Sequence, residues 1–566
     1  MPPRPHPKFV VGLLAITVAL TTAAPAAEPL THRWVYLRKN LQVDAHLAES
    51  EQIARRAKAA GYTGIVLADF KLGVLDRVID RYFRNIARLR AVARELDLEL
   101  IPAVAPFGYS SAILMYDANL AEGLPARDMR LVVRGGRAVA VRDERLAALP
   151  GAFEDRDGDA FRGWRFQDDP GAGTFADTRV FHSGSCSLRV ENPSGVRGVN
   201  RRVAKRLAVR PWHQYHAAVW IKTDAFETPE TVRLFAIGGD PGRTLNHQNL
   251  GVKATQDWTR HHVIINSLAA DEIMLYAGVW GAGGGRLWMD DLILEEAPLV
   301  NLVRRSGCPL VLTRDDDRVL EEGVDFRPVR DDRMHEAADR GDFEVFHEPP
   351  VIEFLPAAGL ADGATVRASF HHAVSIYAEQ VPASLTDPAA FAWLERQVES
   401  VARILEPPRW FFSHDEIRVG NWSADEIAAG HTAGEVLAAN VDRCAALVRA
   451  RDPRAKLCVW SDMFDPHHNA RDGFYLVNGT LAGSWEGLPR DMLVINWNSG
   501  KPADSPRFFA DRGHEQVLAG YYDGPVDAIR DWLTAARGQK VTGVMYTTWR
   551  DDYTALEAFA AAAWGE

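Results

Sequence analysis

Trp410-Phe411-Phe412-Ser413-His414-Asp415-Glu416-Ile417-Arg418 (residues 410–418) is an apolar run that ends abruptly in charge. What flanks it decides the fold. Before it, Phe391, Leu394, Val398, Val401 and Leu405 recur at helical spacing. After it, a helical stretch over 433–450 leads to a second apolar run at 457–462. Short apolar strands alternating with helices imply a parallel sheet, because parallel neighbours need a long crossover. The pattern continues with strands at 493–497, 517–522 and 541–549 and helices at 525–537 and 555–564. It also precedes the quoted stretch, with strands at 34–38, 64–69 and 98–105 and helices at 48–60 and 75–96. Three strands before a long interruption and five after it make eight, the number that closes a (β/α)8 TIM barrel. The predicted fold class is α/β.

From about residue 130 to 297 the helical period vanishes. Short alternating runs replace it, such as Ser187-Leu188-Arg189-Val190 and His262-Val263-Ile264-Ile265. They read as an inserted all-β sandwich of jelly-roll type. A smaller β-rich segment follows at 298–384. The expected order is a barrel first part at 28–129, the sandwich, the small segment, and a barrel second part at 385–566. The insertion follows strand three, on the face where barrel active sites lie.

The N-terminus reads as a secretory signal over residues 1–27. Arg4 and Lys8 precede an apolar stretch, and Ala24-Pro25-Ala26 offers a small-residue cleavage site. No later segment is long and apolar enough to span a bilayer. The expected location is periplasmic or extracellular. The net charge of −11, with acids and bases interleaved, argues against nucleic-acid binding. Cys186, Cys308, Cys444 and Cys458 match no zinc spacing and read as buried thiols.

In a barrel, functional side chains gather at the C-terminal strand ends. Those ends carry Arg38, Asp69, His414-Asp415-Glu416, Trp460 with Asp462, Trp497, Tyr521-Tyr522-Asp523 and Trp549 with Asp551. This is a set of carboxylates ringed by aromatics. Glycoside hydrolysis needs one carboxylic acid for the leaving oxygen and a negative group beside an oxocarbenium-like state. Flat aromatic walls hold a sugar and exclude water.

Residues 409–564 resemble glycoside hydrolase family 20, the β-N-acetylhexosaminidases. Asp415-Glu416 resembles that family's paired Asp-Glu, and Trp460 with Asp462 its strand-five motif. Trp497, Tyr522-Asp523 and the segment from Gly543 to Trp549 resemble its later motifs, and Arg38 its strand-one arginine. The chain departs from the family at His414, where Gly is usual, at Ala103, where Glu is usual, and in its insertion. The resemblance is to a distant relative. It implies substrate-assisted catalysis with retention. Glu416 is then general acid, Asp415 orients the substrate's acetamido group, and Arg38, Asp69, His414, Trp460, Asp462, Trp497, Tyr521, Tyr522, Asp523 and Trp549 contact the sugar. Related families with an Asp-Glu pair act on β-N-acetylgalactosaminides, so the lean is to that sugar over the glucosamine epimer.

Two other readings stay open. A two-carboxylate retaining β-glycosidase would use Glu416 with Asp462 or Asp551 as nucleophile. A non-catalytic glycan-binding protein would keep the barrel without the chemistry. A glycan is the expected partner in every case. No cofactor and no catalytic metal are expected. Asp290-Asp291 at the end of the sandwich is a candidate for structural Ca2+, and Asp315-Asp316-Asp317 reads as a solvated turn. Asp415 and Glu416 pose a geometric problem, since neighbours on a strand face opposite ways. They can share a site only if the strand ends or bulges between them.

Overall fold

A computed structural model of the chain describes residues 30–192, 197–239 and 241–565. The secretory-signal segment at 1–27 lies outside the described residues. Eight parallel strands form a closed barrel. They are β1 (His32–Leu37), β2 (Gly64–Leu67), β3 (Glu99–Val104), β4 (Arg409–Phe412), β5 (Lys456–Trp460), β6 (Leu493–Asn496), β7 (Gln516–Tyr521) and β8 (Val541–Thr547). The seam closes where His32 of β1 registers with Gly543 of β8. A Cβ at Gly543 would lie 2.2 Å from the His32 carbonyl, so only glycine lets the edges meet.

The period-two alternation of each strand makes two cores. Trp34, Tyr36, Val66, Ile101, Phe411, Cys458, Trp460, Ile495, Val517 and Met545 fill the lumen. Val35, Leu37, Ile65, Leu67, Phe412, Val459, Val494, Leu518 and Val544 face outward to the helices. Those helices are α1 (Asp44–Ala59), α2 (Asp80–Glu95), α3 (Pro388–Leu405), α4 (Ala433–Arg451), α5 (Asp504–Asp511), α6 (Ala528–Ala535) and α7 (Leu556–Trp564). Their starts are set locally. Asp387 caps α3 ahead of Pro388, and Thr432 with Glu435 forms a capping box on α4.

One connection differs from the (β/α)8 expectation. Between β5 and β6 the chain forms only short 3-10 turns and a two-residue strand. Pro466, Gly473, Gly479, Gly483, Gly487 and Pro489 fall in this stretch, too many helix breakers for an α-helix to persist.

The insertion leaves the barrel after β3 and returns before β4, which pair directly at Phe411 and Ala103. Its neck is an antiparallel pair, Gly123–Arg134 against Thr365–Ala373, in a sheet that also holds 302–303, 311–314, 319–320 and 137–140. Residues 130–140 thus belong to the small sheet and not to the sandwich, a difference from the expected boundary at 130. Alternation shows a strand but not which distant strand it pairs with. The sandwich itself is two five-stranded antiparallel sheets nested inside that neck.

The sandwich sits on the barrel mouth. Its core takes in Val419, Trp422 and Leu476 from barrel loops. Trp212 meets Trp422 edge to face at 5.9 Å. All four cysteines are buried free thiols; Cys458 donates to the Trp410 carbonyl and Cys444 to Asn440. At the candidate calcium position, Asp290 instead accepts N–H bonds from His182, Ser183 and Asp291. No described helix is long and apolar enough to cross a membrane.

Candidate active site

β4 ends at Phe412, and the alternation carries a little further. Phe411 faces the lumen and Phe412 the helices. Ser413 and Asp415 then face the mouth, while His414 packs outward on Phe107, Phe412 and Phe464. A regular strand would send Glu416 outward too. Its φ is +49°, in the left-handed region, and this turn keeps its side chain at the mouth beside Asp415. The turn needs room. A Cβ on Gly108 would stand 2.0 Å from the Asp415 carbonyl oxygen, so the loop after β3 carries glycine there.

Tyr109, Asp415, Glu416, Trp460, Trp497, Tyr522 and Trp549 line a cavity of about 300 Å3. A second lobe of about 420 Å3 lies against it, sharing Tyr109, Asp415 and Trp549 and reaching Arg38 and Ser413. Trp497 and Tyr522 are parallel, with ring centres 5.7 Å apart. Trp549 closes the wall at 5.8 Å from Tyr522. Arg38 lies over the Trp549 ring at 5.2 Å and 3.9 Å from Asp551.

Several acids expected to touch substrate serve instead as struts. Asp462 is fully buried. Its oxygens accept from the Glu416 backbone N–H at 2.8 Å, the Asn469 amide at 2.9 Å and the Trp497 indole at 3.2 Å. It therefore fixes the left-handed turn and one aromatic wall together. Asp523 accepts from the Thr548 hydroxyl and the Trp549 N–H, setting the end of β8. Asp69 accepts from the Leu41 and Lys71 N–H groups and holds two loops, and it also lines the second lobe. Tyr521 stacks on Tyr546 and faces a side cavity. His414 is bound to Asn440 at 2.9 Å. Burial, against that bond, lowers its pKa to about 4. His414, Asp462, Tyr521 and Asp523 do not line the central cavity or its second lobe. Asp551 does not line them either.

The residues that sequence reasoning missed lie in loops. The Tyr109 hydroxyl donates to Glu416 Oε2 at 2.5 Å, and Arg418 is ion-paired to Glu416 Oε1 at 2.5 Å. Gln380, from the returning insertion, donates to the Glu416 carbonyl at 2.7 Å and accepts from Arg418. Arg418 had a signal, standing two residues beyond Glu416. Tyr109 and Gln380 had none, because their position depends on long-range packing.

Asp415 is enclosed by protein but keeps contact with the open cavity. Burial, then the charges of Asp462 and Glu416, push its carboxyl well above the ordinary range. Asp462 moves the same way, chiefly through burial. Burial and the nearby carboxylates raise the Tyr109 and Tyr522 hydroxyls, which stay protonated. The site thus places a carboxyl whose charged form is disfavoured next to an arginine-paired glutamate, inside an aromatic box. That combination can donate a proton and stabilise a nearby positive charge. No group of three or more potential metal ligands gathers among the described residues.

No family model matches the sequence, and no curated protein matches it either. Solved structures give partial likenesses. A rhamnosidase from a Novosphingobium species is 12% identical, with 92% of this chain and 55% of that chain covered, at a TM-score of 0.33. An inactive variant of a family 20 exo-β-N-acetylglucosaminidase from Vibrio harveyi is 15% identical, with 33% of each chain covered, at 0.26. A family 16 carbohydrate-binding module is 19% identical, with 26% of this chain and 97% of that chain covered, at 0.20. TM-scores this low establish neither a shared fold nor a shared activity.

Proposed function

We propose that the chain is a glycoside hydrolase, and more closely a retaining exo-β-N-acetylhexosaminidase that uses the substrate's own acetamido group. One observation carries this reading. The central cavity is lined by two carboxylates, Asp415 and Glu416, both from one turn, and its other walls are aromatic. A two-carboxylate enzyme needs a nucleophile about 5–5.5 Å from the acid across the sugar. Asp462 is buried with its oxygens bonded, and Asp551 is outside the cavity. A nucleophile carried by the substrate removes that need.

In this reading the acetamido group enters the box of Trp460, Trp497, Tyr522 and Trp549. The ring hydroxyls lie in the second lobe near Arg38. The acetamido N–H donates to Asp415, and Glu416 enters the step carrying the proton it gives up. Glu416 protonates the glycosidic oxygen as the bond to the anomeric carbon breaks. The acetamido carbonyl oxygen closes on that carbon from the opposite face. Glu416, now a base, takes a proton from water, and the hydroxide opens the cyclic intermediate with net retention. Tyr109 and Arg418 hold Glu416 on the line of attack. A preference for N-acetylgalactosamine rests on the family resemblance alone, as does exported location on the N-terminal segment.

The test is a set of 4-nitrophenyl β-glycosides. The N-acetylgalactosaminide or N-acetylglucosaminide is expected to turn over, with the plain galactoside and glucoside slower by about 100-fold or more. An internal nucleophile acts at a high effective concentration, and its loss removes the reaction path. Efficient cleavage of a plain glycoside would overturn the proposal.

A further inference from the structure

The insertion returns to the barrel through residues 374–383, and this segment passes beside the acid. Val374 and Ile376 lie in the sandwich core, and Val381 and Ala383 in the barrel core. Between them the chain makes one tight turn. The Ile376 N–H donates to the Gln380 carbonyl at 2.8 Å, and Glu379 takes a φ of +60°. The turn leaves Glu379 exposed and buries Gln380, which is 3% exposed. Tyr377 roots it, edge to face with Tyr475 of the loop after β5 at 6.0 Å.

Both ends of the Gln380 amide are spent on the catalytic turn. The nitrogen donates to the Glu416 carbonyl at 2.7 Å, and the oxygen accepts from Arg418 Nη1. Arg418 Nη2 is then left to pair with Glu416 Oε1 at 2.5 Å. Little else orients this arginine. It is buried, its Nε has no partner, and Nη1 otherwise reaches only the Tyr109 hydroxyl at 3.4 Å. Glu416 is its one carboxylate partner among the described residues. The rings of Tyr475 and Tyr377, at 5.1 and 5.8 Å, cover the guanidinium but set no hydrogen-bond direction. A guanidinium is a rigid fork, so the bond to Gln380 selects the edge that faces the acid.

The residues that follow act on the other carboxylate oxygen. Tyr109 donates to Glu416 Oε2 at 2.5 Å. Its neighbour Ser110 donates its N–H to the Val381 carbonyl at 3.3 Å, and the Ser110 hydroxyl accepts from the Ala383 N–H at 2.8 Å. Residues 380–383 thus brace both holders of the acid.

We propose that Gln380 is a positioning residue for the general acid, so that the insertion is a working part of the active site. This rests on the hydrolase reading above. Gln380 lines neither the central cavity nor the second lobe, and it acts through Arg418 and the Glu416 backbone. Glutamine fits the place because it both donates and accepts without charge. A carboxylate there could not donate to the Glu416 carbonyl and would compete for Arg418.

The test uses the full chain with Gln380→Met, which keeps the length and removes both bonds, and the near-isosteric Gln380→Glu. The substrates are the methyl and 2,4-dinitrophenyl β-glycosides of the N-acetylhexosamine that the wild-type chain hydrolyses. Only the methyl glycoside needs an acid to depart, and kcat/KM reports that first step. Gln380→Met is expected to lower kcat/KM about 10- to 100-fold on the methyl glycoside and to spare the other, because a misplaced acid is a poor one. Gln380→Glu is expected to move the basic limb of the kcat/KM profile up by about one pH unit, since a second carboxylate draws Arg418 away from the acid. The groups facing Glu416 are Arg418 and Tyr109 at its oxygens, Asp462 at its N–H, and Asp415 and Tyr522 around the cavity. Neither substitution alters any of them. Equal losses on the two substrates, or an unmoved limb in Gln380→Glu, mark a merely structural role and overturn the proposal while the hydrolase reading stands. If Gln380→Met does not fold, the limb of Gln380→Glu decides alone. A wild-type chain that hydrolyses no N-acetylhexosaminide overturns the hydrolase reading and this role together.

Discussion

Glu416→Gln is expected to lower kcat by about 10²–10⁴-fold on a substrate with a poor leaving group. The substitution is nearly isosteric. Its amide oxygen can still accept from Arg418 or Tyr109, which bind the two carboxylate oxygens. The fold should therefore survive, and thermal unfolding should show a native-like transition. The defect should depend on the leaving group. A 2,4-dinitrophenyl glycoside needs no acid to depart, so its first step should be spared. Its second step still lacks a base, and added azide should restore turnover by attacking without deprotonation. A variant that cleaves an oligosaccharide at the wild-type rate would assign the acid elsewhere.

Asp415→Asn is expected to move activity and stability in opposite directions. Activity should fall by about 10²-fold or more, because the acetamido group loses the carboxylate that aligns it. Stability should rise, and the sign follows from linkage. Burial and the charges of Asp462 and Glu416 raise the folded-state pKa of Asp415 above its ordinary 3.8. The folded chain then binds this proton more tightly than the unfolded chain does. The stabilising contribution is complete below 3.8 and is lost as pH rises through the folded value. Above that value the carboxylate is a buried charge among like charges, and asparagine removes it. Tm should change little near pH 4 and increase at alkaline pH. A variant less stable than wild type at pH 8 but not at pH 4 would contradict this account of the site's charge.

The barrel was legible because its signal is local. Eight apolar runs with helices between them need no distant information. The connection after β5 departs from the repeat, because its glycines and prolines prevent a helix. The neck of the insertion shows a limit. Gly123–Arg134 pairs with Thr365–Ala373 across more than two hundred residues, and neither strand carries a mark of its partner.

At the site, strand-end position brought Asp415, Glu416, Trp460, Trp497, Tyr522 and Trp549 into view, and the structure gathers these six around one cavity. Position alone does not show what a side chain spends its hydrogen bonds on. Asp462 and Asp523 stand at strand ends as well, yet each is consumed by backbone or side-chain donors and neither lines the cavity. His414 follows the alternation to the outside, while Glu416 escapes it through one left-handed residue. That escape depends on Gly108 in a different loop, and nothing near Glu416 announces it.

The central claim is that the substrate's acetamido oxygen is the nucleophile, with Asp415 and Glu416 serving it. The most direct measurement is a series of 4-nitrophenyl β-N-acylhexosaminides with acetyl, fluoroacetyl, difluoroacetyl and trifluoroacetyl groups. Each fluorine withdraws electrons from the carbonyl oxygen and weakens its attack, while the leaving group stays the same. The account predicts that kcat falls steeply along the series, by about 10²-fold or more from first to last, equivalent to about 2.7 kcal/mol in the barrel's reaction. A flat series would place the nucleophile on the protein and contradict the claim.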